Sequence, residues 1–506
     1  MPMKKVSSIQ QLIAFLTEVR EAMLQKEKDH QDILDQVYSS YRESARNLLH
    51  YLTLRTMDLR PIQEKLSTLG ISSLGHSERY AFANLSNSLY HLHLLAGTPK
   101  KELEEMGLSF YSGFPRSRRR LKKHTNQLFG PEKWKDHTRI MVTLPSEAST
   151  NYELVEALVA QGVEIVRINC SHDDQETWAK MIWNIHKAER TLAASCLIYM
   201  DLPGPKLRTG PLKKGKKKKL KGIELSQGDV LYLMREETKG RPAKKGKPAC
   251  ISTTLPEIFD HLKAGEAIWF DDGKIGGIIE AVDAEKAMVR IHHVPLQGGM
   301  LRANKGINLP DTALNLPSLT QKDRETLPFI ARHAHMVGYS FVQSVEDVRA
   351  LQEYLRELNK PDLGIILKIE TKKSFRHLPS LLLQAMQSPK VGVMIARGDL
   401  AVELGWERIA EVQEQIAWLC EAAHIPYIWA TQILENLVKT GQATRAEITD
   451  AAMAVRAECA MLNKGPYILE AVKTLQDLDQ RMDAHHFKKM SSLRPLQVAV
   501  RFWVEH

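Results

Sequence analysis

Apolar and polar positions follow two different rhythms along this chain. Over the first 135 residues the apolar positions recur every three or four, as in "IQQLIAFLTEVREAMLQ" and "SERYAFANLSNSLYHLHLLAG", which is the spacing of amphipathic helices. Gly97 stands where the second of these would stop. From Thr138 the rhythm changes to short apolar runs, each ending in polar or glycine residues and each followed by a helical stretch. In order they read "TRIMVTL", "EIVRIN", "CLIYMDL", "MVGYSFV", "LGIILKIE", "VGVMIAR", "PYIWAT" and "CAMLN". The helix after the first, "STNYELVEALVAQG", has Thr150 and Glu153 in capping-box spacing and Gly162 as its stop.

Alternation of this kind demands parallel strands, and eight of them predict an α/β chain closed into a (β/α)8 TIM barrel. A doubly wound open sheet is the alternative. The pattern breaks between the third and fourth runs, roughly 211–303, where a Lys- and Gly-rich stretch holds the short β-type segments "DVLYLM", "AIWFDDG" and "AMVRIHHV". This predicts a small β-barrel domain inserted as a lid. The organisation expected is an all-α domain over 1–135, a barrel over 136–210 and 304–485, the lid over 211–303 and a tail over 486–506.

Composition adds bounds rather than identity. With 506 residues, 43% hydrophobic and 26% charged, the chain is an ordinary globular protein with room for several cores. No apolar run reaches membrane-spanning length, and the basic start "MPMKKVSSIQQLIAFL" is too broken by polar residues for a signal peptide. The five cysteines, Cys170, Cys196, Cys250, Cys420 and Cys459, are scattered and odd in number, which favours a reducing cytoplasm. The net charge of +10 is concentrated in "RSRRRLKKH" (116–124), "KKGKKKKLKG" (213–222) and "RPAKKGKPA" (241–249). These runs read as solvated loops. Without interleaved aromatics they do not make a nucleic-acid surface. His91 and His93 in "YHLHLL" read as helix-face histidines rather than metal ligands.

The chemistry lies at the strand ends. In a TIM barrel the residues at the C-terminal ends of the strands surround the active site. The second run ends in Arg167, Asn169, Ser171 and His172, and period-two alternation puts Arg167, Asn169 and Ser171 on one side. The third leads to Asp201, Lys206 and Arg208. The fifth ends in Lys368 and Glu370, the sixth in Arg397, Gly398 and Asp399, and the seventh in Thr431 and Gln432. Charges facing a barrel interior are costly unless they meet partners or ligand. An Arg-Gly-Asp tripeptide by itself also fits an adhesion signal or a structural ion pair, but the cysteine pattern disfavours the first. Glu370 and Asp399 suit Mg²⁺, which takes a few carboxylates plus substrate oxygens and water. Arg167, Arg208 and Lys368 suit an anionic substrate and a migrating phosphoryl group. Gly398 lets backbone N–H groups approach an anion at a helix start.

The segments "RINCSH", "DLPGPKLRTG", "FDDG", "NKGINLP", "KIE", "MIARGDLAVE", "ATQILENL" and "TRAEITD" resemble the successive signatures of the pyruvate kinase family, in that family's order. The resemblance covers about 136 to 485. It implies a barrel with an inserted lid that transfers the phosphoryl group of phosphoenolpyruvate to ADP, giving pyruvate and ATP, with Mg²⁺ or Mn²⁺ as cofactor. By resemblance Arg167 holds the transferring phosphate, and Lys368 stabilises the transition state and the enolate. Glu370 and Asp399 bind the divalent metal, Gly398 and Asp399 receive the substrate carboxylate, and Thr431 takes part in protonating the enol carbon. Asn169, Ser171, His172, Arg208 and Lys305 match nucleotide-contacting positions. Asn169, Ser171, Asp201 and Leu202 match a monovalent-cation site.

Three departures qualify that reading. Lys206 stands where potassium-dependent members carry Glu, so a fixed ammonium is expected to replace K⁺. After the eighth run the chain reads "MLNKGPYILEAV", with Asn463-Lys464 and a shorter loop in place of the family's Ser-Gly-Glu-Thr. That leaves ketonisation of the enol and the identity of the phosphate partner open. The chain also lacks the family's usual C-terminal domain and carries the helical region instead. The expectation is therefore no sugar-bisphosphate activation, and a homodimer through the barrel or the N-terminal domain. The alternatives are a diverged phosphoenolpyruvate-using kinase with another partner, or a non-catalytic binding regulator.

Overall fold

Eight short strands become buried along their whole length because helices cover them outside and side chains fill them inside. They are β1 (Arg139–Thr143), β2 (Ile165–Asn169), β3 (Leu197–Asp201), β4 (Met336–Tyr339), β5 (Gly364–Ile369), β6 (Val391–Ala396), β7 (Tyr427–Ala430) and β8 (Cys459–Leu462). Every neighbouring pair is parallel, and β8 pairs back onto β1, so the sheet closes into a barrel. The open-sheet alternative is excluded. The structure is a computed structural model describing residues 8–134, 137–213, 220–244, 246–296, 298–312, 314, 317–483, 485–488 and 490–491. Most of the basic run at 213–222 lies outside the described residues.

Within the barrel the period-two alternation sorts side chains by height. Met141, Ile165, Tyr199, Met336, Ile366, Met394, Ile428 and Met461 form an apolar layer low in the bore. Two residues further along several strands come Arg167, Asp201 and Lys368. Gly338 on β4 is required by this packing: a methyl there would lie 2.0 Å from the Tyr199 hydroxyl.

The insertion is built on its own apolar core. Its strands form a six-stranded sheet and a two-stranded ribbon, and among the described residues they do not close into a hydrogen-bonded ring. The expected segments are Val230–Met234, Ala267–Phe270 and Lys286–His293, and Ile275–Val282 joins them at the centre of the sheet. The Ile307–Asn308 strand pairs with Ala267–Phe270, so the lid sheet reaches chain that leads directly back to the barrel.

The described residues 8–134 are mainly helical, with Ile9–Asp29, Arg42–Arg55, Ala81–Leu95 and Gly113–Phe129 their longest helices. Gly97, at φ 85°, follows the end of the third. His93 is buried with its Nδ1 3.3 Å from the Thr98 hydroxyl, a local contact rather than a metal site. Two expectations need correcting. The run at 116–124 is not a loop: it lies in the Gly113–Phe129 helix, which exposes Arg116, Arg119 and Lys123 and buries Leu121, His124, Leu128 and Phe129. An arginine-rich stretch can be helical when its apolar residues share one face. The Tyr152–Ala160 helix is capped by Asn151, whose side chain accepts from Leu154 N, and not by Thr150. Thr150 instead gives its hydroxyl to the Glu147 carbonyl.

The tip of the Gly113–Phe129 helix enters the barrel from below. Leu128 and Phe129 belong to the same apolar cluster as the bore residues. Leu128 fits between the starts of β5 and β6: a methyl at Gly364 would meet its Cδ1 at 2.7 Å, and one at Gly392 its Cδ2 at 2.6 Å. The helical domain also shares one continuous core with the outer faces of the strands and their helices. Hydrogen bonds join the two, including the buried Asn47 Nδ2 to Ala422 O at 2.8 Å and Tyr38 N to Met386 O at 2.8 Å.

Candidate active site

At the C-terminal rim, charged groups from the ends of four strands, β2, β3, β5 and β6, meet as the strand-end pattern anticipates. Arg167 from β2 donates to Asp201 Oδ2 through Nε (3.0 Å) and Nη2 (2.5 Å), and to Thr143 Oγ1 at 3.1 Å. Lys368 from β5 lies 3.2 Å from Asp201 Oδ1 and 3.1 Å from Glu370 Oε1, and donates to Ser340 Oγ at 2.7 Å. Ser340 in turn donates to the Leu202 carbonyl at 2.6 Å. The Phe341 N–H completes the cradle of Glu370, donating to Oε2 at 2.7 Å. Lys206, beyond β3, donates to both oxygens of Asp399 at 2.9 Å.

Burial and neighbouring charges compete to set the protonation states. It would strip the proton from Lys368, but Asp201 and Glu370 outweigh it and hold the ammonium above the ordinary lysine range. Burial likewise pushes Asp201 up, yet Lys368 and Arg167 bring it below the usual carboxylate range. At Asp399 burial is overcome by Lys206, and the group stays ionised. Glu370 ends on the other side: burial, with the neighbouring Asp399 charge, raises it despite Lys368. Two carboxylates whose charges are felt by each other are the donor set for a divalent cation that keeps oxygens for substrate and water. Among the described residues no third His, Cys, Asp or Glu joins them in a closed metal cage. Glu370 and Asp399 are the two carboxylates on this rim whose chemistry suits a divalent cation.

The sixth strand ends as a structural clamp and a cradle together. Arg397 is the ion-pair residue of its tripeptide, pairing with Asp450 and donating to the carbonyls of Ala430 (3.1 Å) and Thr431 (2.6 Å). That grip holds the chain after β7 in an uncommon path, with Thr431, Gln432 and Leu434 at φ 67°, 61° and 48°. Positive φ at a β-branched residue is strained and is sustained only by its surroundings. Gly398 opens the Arg397–Leu404 helix, and its N–H donates to Thr431 Oγ1 at 3.0 Å.

The remaining candidates line the mouth toward the lid. Asn169 accepts from Ser171 N at 3.0 Å. Burial lowers the pKa of His172, reinforced by the charges of Lys464 and Arg208. Arg208 donates to the Asn304 carbonyl at 3.2 Å, and Lys305 pairs with Asp271 at 2.8 Å. The charge beside Asp201 comes from Arg167 and Lys368, while Lys206 is engaged by Asp399.

Several site residues escaped the strand-end reading. Ser340 carries the period-two rhythm of β4 one step past Gly338 but is uncharged. Asn308 sits in the lid's return strand, and its Nδ2 is 3.4 Å from both Asp399 Oδ1 and Glu403 Oε1. Burial raises the Glu403 carboxyl to about 7. Both lie inside the quoted segments "NKGINLP" and "MIARGDLAVE", yet only the folded chain shows that they touch the rim.

Comparison with known proteins finds matches across the barrel. The family description "Pyruvate kinase, barrel domain" matches residues 135–472. A pyruvate kinase of Bacillus licheniformis is 33% identical over 371 residues, covering 72% of this chain and 60% of that protein. One of Geobacillus stearothermophilus is 32% identical over 356 residues, 69% of this chain and 57% of its own length. One of Staphylococcus aureus is 31% identical over 365 residues, 71% and 59% respectively. The chain thus spans about 60% of the length of these curated relatives.

Proposed function

The chain belongs to the pyruvate kinase family, and from that premise we propose that it transfers the phosphoryl group of phosphoenolpyruvate to ADP, forming pyruvate and ATP. The observation that carries the reading is the convergence of Arg167, Lys368, Glu370 and Asp399 on one rim. Glu370 and Asp399 hold Mg²⁺ or Mn²⁺, which when bound neutralises phosphate and carboxylate charge. Arg167 can turn its guanidinium from Asp201 to the transferring phosphate, matching oxygens with a fixed fork of donors. Lys368, already charged and poised 2.7 Å from Ser340, stabilises negative charge as it develops on the enolate oxygen. The Gly398 backbone, with its neighbour Asp399, receives the substrate carboxylate. Thr431, fixed by Arg397 on its carbonyl and Gly398 on its hydroxyl, faces the carbon that gains a proton. Asn169, Ser171, His172, Arg208 and Lys305 meet the nucleotide under the lid.

K⁺ is not required in this proposal. Fixed ammonium and guanidinium groups, Lys206 included, supply positive charge along the rim where Asn169, Ser171, Asp201 and Leu202 would otherwise hold a monovalent ion. The five cysteines are buried free thiols, which suits a cytoplasmic setting. No helix among the described residues is long and apolar enough to cross a membrane. A coupled assay of ATP formation from phosphoenolpyruvate, ADP and Mg²⁺, with and without K⁺, tests both statements. No ATP under either condition defeats the first, and a strict need for K⁺ defeats the second.

One observation favours a second reading. Lys464, on the turn after β8, adds its charge beside His172 and Arg208, where a more anionic acceptor than ADP would be favoured. A screen of phosphoryl acceptors against phosphoenolpyruvate separates the two.

A further inference from the structure

Beside the rim lies a second cavity of about 350 Å³, which Arg167, Asp201 and Lys368 do not line. Its walls come from chain leading to and from the lid near 205–207 and 307–312, the turn after β4 at Phe341 and Gln343, the turn from β5 into the Lys372–Arg376 helix, and Glu403. The volume is that of a small-ligand site.

One buried atom there lacks a partner. Asn308 is 5% exposed. Its amide nitrogen is committed to Asp399 and Glu403, but its Oδ1 accepts no hydrogen bond. A buried carbonyl oxygen left in this state is unfavourable and calls for a donor. On the barrel side, Lys372, Lys373 and Arg376 place three positive charges on one wall. Among the described residues neither Lys372 nor Arg376 has an ion-pair partner. Two acidic groups also line it: Asp311, which is exposed and accepts from the Ala267 N–H at 3.3 Å, and Glu403, whose carboxyl burial raises to about 7. The cavity therefore offers cations to an acceptor and an acceptor to a donor, and one molecule must satisfy both.

We infer that this cavity binds a small hydroxylated organic anion, with its carboxylates against Lys372 and Arg376 and its hydroxyl donating to Asn308 Oδ1. Such an occupant touches lid and barrel segments at once. Its hydroxyl distinguishes it, because the same anion without that group leaves the Asn308 oxygen buried and unpaired, and sites built around a buried polar group reject such analogues strongly.

Malate and succinate, dicarboxylates differing by one hydroxyl, test the inference by titration calorimetry on the full chain in metal-free buffer. Malate is expected to bind saturably, at least about tenfold more tightly than succinate, a gap well below what a built polar site can give. Arg376→Ala should lose that binding while its circular dichroism stays that of the parent. Phosphoenolpyruvate should not displace malate. Equal affinity for the two acids, unchanged binding to R376A, absence of saturable heat, or competitive displacement by phosphoenolpyruvate would each overturn it. Because the readout is binding, failure here is distinct from failure of the phosphotransfer reading.

Discussion

Lys368 carries its charge almost out of reach of water, 8% exposed, only because Asp201 and Glu370 stand on either side of it. Replacing it with Met keeps the length and removes the charge. The expected outcome is a loss of kcat on the order of 10²–10³-fold, the scale of one preorganised group at a developing oxyanion. Phosphoenolpyruvate binding should stay within a few-fold by titration. Equal losses in binding and turnover would mean that the lysine only holds the ground state. Glu421 gives a second residue-scale test, away from the site. Burial raises its carboxyl from 4.5 to about 7, and Arg79 comes only to 3.7 Å, too far for a hydrogen bond. A carboxyl with a raised folded-state pKa favours the protonated native form. Its contribution to stability is complete below pH about 4.5 and is lost as pH rises to about 7. At about 1.4 kcal/mol per unit, Glu421→Gln should gain roughly 3 kcal/mol on the parent across that window in denaturant unfolding. A pH-independent gap would show that the Arg79 pair dominates instead.

Between residue and domain, the elements show where pattern is informative. All eight strands were legible because each is a short apolar run bounded by polar residues. The strand-end chemistry was legible because a period of two assigns Lys368 and Glu370 to the same side. The cap at Asn151 was missed because Thr150 and Glu153 have the right spacing, and only backbone geometry decides which residue lies at the turn. Asn151→Ala should cost about 1 kcal/mol, as lost N-caps do, and Thr150→Ala appreciably less, measured by thermal unfolding. The Gly113–Phe129 helix was masked by its arginines, of which Arg116 and Arg119 are exposed while Leu121 and Leu128 are buried. Its tip yields a sharper prediction. Gly392→Ala forces a methyl to within 2.6 Å of Leu128 Cδ2 and should destabilise by about 1–3 kcal/mol, the usual range for overpacking. Leu128→Ala should recover part of that loss in the double variant. Additivity of the two would mean that the strain falls on Ile366 instead, 2.7 Å away.

At the scale of the whole molecule, the helical domain is part of the barrel's foundation. Its apolar face and the barrel's outer layer form one cluster, and its last helix fills the bottom of the bore. Denaturant unfolding followed by helix content and by tryptophan fluorescence should therefore give coincident transitions for the two parts. Two separated steps would show that they fold independently. What the sequence determined alone was local: periodicities of 3.6 and 2 declare helix and strand, eight alternations favour closure over an open sheet, and charged residues two apart at strand ends mark a rim. Tertiary structure decided what depends on distance across the fold. Arg397 turned out to clamp the β7 turn, Lys206 to lie on Asp399, Asn308 to reach the rim from the lid, and Leu128 to plug the barrel. Those partners are separated by tens to hundreds of residues, and no periodicity along a chain records which side chains closure will bring within a hydrogen bond of one another.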